Sequence, residues 1–323
     1  MVKKKKITVI GCGRWGSFLA WYANRLGHEV TLYGRADSRH MHQLQQTRKN
    51  ELLCLPEEIK LSESLQSVET ADIILISIDS QGLRTLMQQL REELHPVEKI
   101  FVLCMKGIEI STGKRLSEVA AEYVGEQNKI AIWLGPGHVQ EFTRNIMNCM
   151  VIDSEDADTK ARLIQAFSGD LIRFYYGNDM IGNEIGAAAK NVIGIAAGML
   201  DGLHLSSLKG ALMSRGTREV ARLIVAMGGK ELSAYGLCHL GDYEATVFSP
   251  YSHNRAYGEA FVRGEPYAQL AEGVYTVQAL MKLSDAYHVE LPISRAVYRI
   301  LFEQLSPSDA MKELFLREQK AEF

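Results

Sequence analysis

Near its start the sequence lacks an apolar run long enough for a membrane span or the core of a signal peptide. The basic run Lys3–Lys6 is followed by only a few apolar residues, so it reads as a solvated flank. No basic excess exists either: 36 Lys and Arg stand against 39 Asp and Glu, a net charge of −3. A general nucleic-acid binder needs a strongly basic face, so that class is set aside. Cysteine is sparse. The five (Cys12, Cys54, Cys104, Cys149 and Cys238) are odd in number and widely spaced, and no pair has metal-ligand spacing. They read as reduced thiols, which favours a cytoplasmic location over an oxidising one. The nine histidines form no HxxxH or HExxH pair, so no metal is expected.

What remains is an ordinary globular composition, 46% hydrophobic and 23% charged, in a chain of 323 residues. That length accommodates two domains. In the first half short apolar runs alternate with helix-like segments: KITVI, then a helix from about Trp15 to Leu26 closed by Gly27, then Glu29–Tyr33. ADIILISI, KIFVLCM, KIAIWL, CMVID and LIRFYY continue the series. Such alternation predicts a parallel sheet covered by helices on both faces. After about Asn178 the strand pattern stops and helical stretches dominate. The expected organisation is a dinucleotide-binding domain over 1–178 and an all-helical substrate-binding and catalytic domain over 179–323.

Gly11-x-Gly13-x-x-Gly16 lies between the first strand and the first helix. In a dinucleotide-binding turn the first glycine permits the tight bend. The second lets backbone approach a pyrophosphate, and the third packs helix on strand. The helix N–H groups then face the anion. Strand before, helix after and a second strand at the right distance make this a Rossmann-like, doubly wound arrangement. The second strand ends in Gly34 and Arg35, where NAD enzymes often carry a carboxylate for the ribose 2′-hydroxyl. A guanidinium suits a 2′-phosphate, which favours NADP(H) while leaving NAD(H) open.

From Ile185 to Leu200 the only charged residue is Lys190. Gly186, Ala187 and Gly194 share its helix face and would let a ligand or another backbone come close. Burial lowers a lysine's pKa towards the range useful for proton transfer. A lysine snorkelling from a packed helix fits equally well when the residue is taken alone. Its position straight after a nucleotide-binding domain favours the proton donor. Farther on, SPYSHNRAYG (Ser249–Gly258) is too polar for a core and suits a small anion.

Over nearly its whole length the chain resembles the bacterial-type NAD(P)-dependent glycerol-3-phosphate dehydrogenases. The resemblance rests on GCGRWG, ADIILISIDSQ, MKGIE, LGPGHVQE, GAAAKNVIGIAAGMLDGL, MSRGTREVARL, GLCHLGDYEAT, SHNR, and AEGVYTV ahead of VELPI. It implies reversible hydride transfer between dihydroxyacetone phosphate and sn-glycerol 3-phosphate, with NADP(H) or NAD(H). Lys190 of KNV would be proton donor or acceptor, and Asp242 of HLGD would orient it. Lys106 of MKG would touch cofactor and substrate. The resemblance places Arg14 and Trp15 beside the pyrophosphate turn, and Val139 and Glu272 on the cofactor side, Glu272 near the nicotinamide. Asp242 could equally form a turn after Gly241, and Glu272 could equally cap a helix. Gly135, Gly137, Asn191, Thr246, Ser252, His253 and Asn254 fall on the substrate side. Ser252, His253 and Asn254 match the phosphate loop, and His253 also borders the cofactor.

The chain departs from the family at two positions. Arginine usually stands where His253 is, and Ser or Thr where Gly137 is. The first change removes a permanent cation able to clamp phosphate; the second removes a hydroxyl. Arg255 is a candidate substitute cation. The main reading is therefore a dehydrogenase of a small phosphorylated three-carbon substrate that supplies glycerophospholipid synthesis. A related dehydrogenase with a different keto or hydroxy substrate is the alternative, and a non-catalytic dinucleotide sensor is the alternative of another class. The apolar helical half is compatible with a homodimer.

Overall fold

A computed structural model describes residues 3–319, 321 and 322. The chain forms two compact units. One holds the chain up to Lys106 together with Lys114–Met180, and the other holds Gly107–Gly113 and the chain from Ile181 onward.

The first unit contains β1 (Lys6–Ile10), α1 (Arg14–Arg25), β2 (Glu29–Tyr33), α2 (Arg39–Thr47), β3 (Lys60–Ser62), α3 (Ser67–Thr70), β4 (Ile73–Ile76), α4 (Leu83–Glu93), β5 (Ile100–Leu103), α5 (Leu116–Ala121), β6 (Lys129–Leu134), α6 (Val139–Phe142), β7 (Asn148–Asp153), α7 (Ala157–Phe167) and β8 (Ile172–Tyr176). Its eight strands form one sheet in the order β3-β2-β1-β4-β5-β6-β7-β8. β4 is buried along its whole length, as its unbroken IILI run requires of a strand covered on both faces. β1 lies between β2 and β4, in register Val9↔Leu32 and Val9↔Leu75. The strand order reverses here, and this is where open α/β sheets hold their ligands.

Seven of the eight strands were visible as apolar runs in the sequence, and the expected parallel pairing is broken once, between β6 and β7. β7 runs antiparallel to β6, pairing Trp133 with Ile152. The intervening helix α6 has four residues. It rises only about 6 Å, too little to carry the chain back along a strand of roughly 20 Å. The 11-residue α7 does span the distance, and β8 returns parallel to β7.

The second unit is helical: α8 (Met180–Gly202), α9 (Lys209–Ala226), α10 (His253–Arg263), α11 (Glu272–Ala286), α12 (Pro292–Phe302) and α13 (Pro307–Phe315). α8 is apolar on every side and buried from Glu184 to Leu200, so the other helices pack around it. α10 crosses it at very short range. A Cβ at Gly198 would lie 1.9 Å from the Arg255 carbonyl oxygen, so only glycine permits that approach. Among the described residues no helix is long and apolar enough to cross a membrane.

Candidate active site

In the first unit the turn after β1 is shaped by its neighbours. Gly11 has φ +108°, and a Cβ there would come within 2.0 Å of the Ser77 carbonyl oxygen at the end of β4. Gly16 is closed in the same way, with the Gly11 carbonyl 1.8 Å from its missing Cβ. Gly13 differs: nothing lies within 4 Å of a Cβ built there. This open position stands at the N-cap of α1, whose first turn has neither a side-chain cap nor an acidic residue. The N–H groups of a helix start and the positive end of the helix dipole suit a pyrophosphate, so these residues fit a dinucleotide.

Arg14 and Trp15 open α1; the Trp15 ring centroid lies 5.0 Å from that of Phe18 and 6.4 Å from that of Phe142. Arg35, past the end of β2, has its guanidinium 3.3 Å from the Asp37 carboxylate, with both side chains about three-quarters exposed (78% and 76%). Lys106 follows β5, and its ammonium donates to the Gly135 carbonyl at 2.7 Å. Gly137 has φ +150°, and the Phe142 ring lies 2.5 Å from where its Cβ would be. The serine or threonine of the family could not sit here unless Phe142 moved. Val139 begins α6 and is buried.

In the second unit Lys190 is 7% exposed, and its ammonium lies 3.0 Å from Asp242 Oδ2. Thr246 Oγ1 donates to the Asp242 carbonyl at 2.7 Å and so accepts from Lys190 Nζ at 2.6 Å. Asp242 ends a short 3₁₀ turn (Leu240–Asp242), and Thr246 stands in a π-helical turn (Glu244–Phe248). Asp242 is therefore both turn residue and partner of the lysine. Asn191, the next residue of α8, accepts at Oδ1 from Asn254 Nδ2 at 3.1 Å. Asn254 Oδ1 in turn accepts the Gly273 amide at 2.8 Å. Ser252 caps α10 by accepting the Arg255 amide. His253 Nδ1 is 2.8 Å from the Tyr267 hydroxyl, and Glu272 is the first residue of α11.

Arg255 does not stand ready as a replacement phosphate ligand. Its guanidinium is held 2.7 Å from Asp201, which also takes Lys209 at 2.6 Å and the Ser206 hydroxyl at 2.7 Å. Sequence reasoning missed this cluster, and it missed Tyr267 and His239; the Arg255–Asp201 and His239–Gly186 contacts join residues 54 and 53 positions apart in the chain. The second unit also has an apolar hollow of about 900 Å³ lined by α8, α9, α12 and α13. None of the polar residues above lines it, so its volume says nothing about their chemistry. Among the described residues no group of three or more His, Cys, Asp or Glu could hold a metal ion.

Two family models cover most of the chain. That for the N-terminus of NAD-dependent glycerol-3-phosphate dehydrogenase matches residues 6–160, and that for its C-terminus matches 179–312. A glycerol-3-phosphate dehydrogenase (NAD(P)+) of Thermoanaerobacter sp. is 35% identical, with 98% of each chain covered. The protein of that name from Fusobacterium nucleatum is 34% identical at the same coverage. The crystal structure of glycerol-3-phosphate dehydrogenase from Coxiella burnetii, 31% identical, superposes with a TM-score of 0.89 over 97% of this chain and 99% of that one. With both halves matched in order and relatives aligned end to end, the chain belongs to the NAD-dependent glycerol-3-phosphate dehydrogenase family.

Proposed function

We propose that the protein reversibly reduces dihydroxyacetone phosphate to sn-glycerol 3-phosphate, with Lys190 as the proton donor. The observation that carries this reading is the buried contact of Lys190 with Asp242 and Thr246 on an otherwise uncharged stretch of α8. A buried ammonium is costly unless paired, and the carboxylate offsets that cost while holding the ammonium in one place. The nicotinamide cofactor supplies the hydride when bound. Lys190 delivers a proton to the substrate oxygen that becomes the C2 hydroxyl, and takes it back in the reverse direction. Asp242 aims the ammonium, and the Thr246 hydroxyl fixes a second of its three N–H directions.

Ser252, His253 and Asn254, at the start of α10, are the proposed phosphate ligands, with Asn191 set by its bond to Asn254. An anion is favoured at that helix N-terminus. The Tyr267 hydroxyl, 2.8 Å from Nδ1, orients the His253 ring; in the tautomer protonated on Nε2, the ring offers a donor to phosphate. Lys106 is proposed to reach both cofactor and substrate, and Glu272 to lie near the nicotinamide. NADP(H) is the favoured cofactor because Arg35 stands just past the end of β2. Asp37 beside it supports NAD(H) as the second reading, since a carboxylate there can accept from a ribose hydroxyl. Supply of glycerophospholipid synthesis in the cytoplasm is the proposed role, in keeping with five cysteines that form no disulfide among the described residues.

The test is a panel of keto substrates, phosphorylated and not, assayed with NADPH and NADH at the nicotinamide absorbance. Dihydroxyacetone phosphate with NADPH should give the highest kcat/KM. A higher value for a keto acid without phosphate would overturn the substrate, and no turnover with any pair would leave a dinucleotide-binding protein without this activity.

A further inference from the structure

Lys190 is on α8 and Asp242 on a separate turn, and one wholly buried residue bonds both elements, one through its ring and the other through its backbone. His239 has no exposed surface, and its Nδ1 lies 2.8 Å from the Gly186 carbonyl oxygen of α8. In the helical i to i+4 pattern this carbonyl is also the partner of the Lys190 amide. The His239 backbone carbonyl in turn accepts the Asp242 amide at 3.0 Å. One residue thus binds the helical turn that presents Lys190 and the 3₁₀ turn that presents Asp242. The contact needs Gly186, where a Cβ would come within 2.9 Å of His239 Cβ.

The hydrogen bonds fix the ring's protonation. A carbonyl only accepts, so Nδ1 carries the proton. The Tyr243 hydroxyl, 2.8 Å from Nε2, donates to it, and Tyr243 lies 3.4 Å from the Thr217 hydroxyl on α9. Burial pushes the Tyr243 phenol up, so it keeps its proton for this bond. Burial likewise pushes His239 down to about 4. The backbone bond to Gly186 and the nearby Asp242 oppose that shift, while Lys190 adds to it. The ring is therefore neutral at working pH, with both nitrogens engaged.

We propose that His239 is the positioning residue of the proton-transfer pair: by bonding Gly186 through its ring and Asp242 through its backbone, it sets the separation of Lys190 from Asp242. This rests on Lys190 being the proton donor. Small errors of placement matter in catalysis, since a shift of about 1 Å can cost on the order of a hundredfold in rate.

The test compares His239→Ala, His239→Asn and His239→Gln with wild type, as full-length protein, in kcat, KM and the pH profile of kcat. Asparagine can place an amide N–H near the position of Nδ1 and reach Gly186; glutamine reaches towards Tyr243 instead. His239→Ala should lose about tenfold or more in kcat, a part of the roughly 10²–10⁴-fold that general acid–base catalysis contributes. KM for dihydroxyacetone phosphate should change little. The pH profile should move by roughly half a unit or more, as a loosened ion pair requires. His239→Asn should restore both kcat and profile. Loss of kcat that only tracks the folded fraction, with an unmoved profile, makes His239 structural and overturns the proposal. If the alanine variant does not fold, asparagine and glutamine decide: a wild-type profile for Asn and a displaced one for Gln supports the proposal, and identical behaviour overturns it. Lys190→Ala, run alongside, separates the two ideas. If it retains turnover, the proton-donor reading fails whatever the histidine does. If it is inactive while every His239 variant behaves as wild type, positioning alone fails.

Discussion

Lys190 Nζ and Asp242 Oδ2 meet at 3.0 Å with 9% and 1% of their side chains exposed. Removing one member of such a pair leaves a charge without its partner in a dry environment, at a cost of about 3–5 kcal/mol. Asp242→Leu should therefore lower the unfolding free energy by about that amount. Lys190→Met combined with Asp242→Leu should recover much of the loss, because no buried charge remains. Urea denaturation of the two singles and the double gives the coupling energy. Simple additivity of the single effects would show that the pair is not coupled in solution.

Asp201 gives the pH dependence of the second unit. Burial raises its pKa, but hydrogen bonds from Lys209, Ser206 and Arg255 outweigh that and leave it below the ordinary carboxylate range. A carboxylate with a depressed folded pKa contributes stability above its unfolded value and loses it as pH falls through the folded one. Asp201→Asn should thus be less stable than wild type at pH 7, and the gap should close in acid below about pH 4. A gap that stays constant across that range would mean that ionisation of Asp201 is not the source of the difference.

Cofactor choice hinges on Arg35. Arg35→Asp should weaken NADPH about ten- to a hundredfold, the loss of one charge-assisted hydrogen bond, and affect NADH much less. Binding titrations of both cofactors measure this directly. Equal weakening of the two would remove Arg35 from 2′-phosphate recognition.

These residues differ in how far the sequence exposed them. The Gly11-x-Gly13-x-x-Gly16 turn was readable because its glycines answer local demands of one strand–turn–helix unit. Lys190 was readable as a lone charge in an apolar run. β3 was not, because Lys60–Ser62 is short, polar and only partly buried at the sheet edge. The reversal at β7 was hidden in the length of α6 rather than in any strand's composition. Gly34 carries two meanings at once. It reads as the absence of a cofactor-binding carboxylate, yet a Cβ there would also lie 2.4 Å from Cys12 Sγ. Thr246 and His239 lie 56 and 53 residues from their partners on α8, so only the folded chain reveals what they hold.

Gly137 is such a packing constraint. Gly137→Ser would restore the family's hydroxyl but set a Cβ against Phe142 in a left-handed backbone region. The expected result is a loss of about 1–3 kcal/mol in stability, seen as a lower Tm, without tighter substrate binding. A variant as stable as wild type and with a lower KM would show that Phe142 yields readily and that the hydroxyl was simply missing.

The proton-donor role of Lys190 is the centre of the account, and turnover of Lys190→Ala tests it most directly. NADPH titration of the same preparation verifies that the nucleotide half is intact. The variant should bind NADPH as wild type does and reduce dihydroxyacetone phosphate about 10²–10⁴-fold more slowly, the range of general acid–base catalysis. A folded, NADPH-binding Lys190→Ala that keeps more than about a tenth of wild-type kcat would contradict the account.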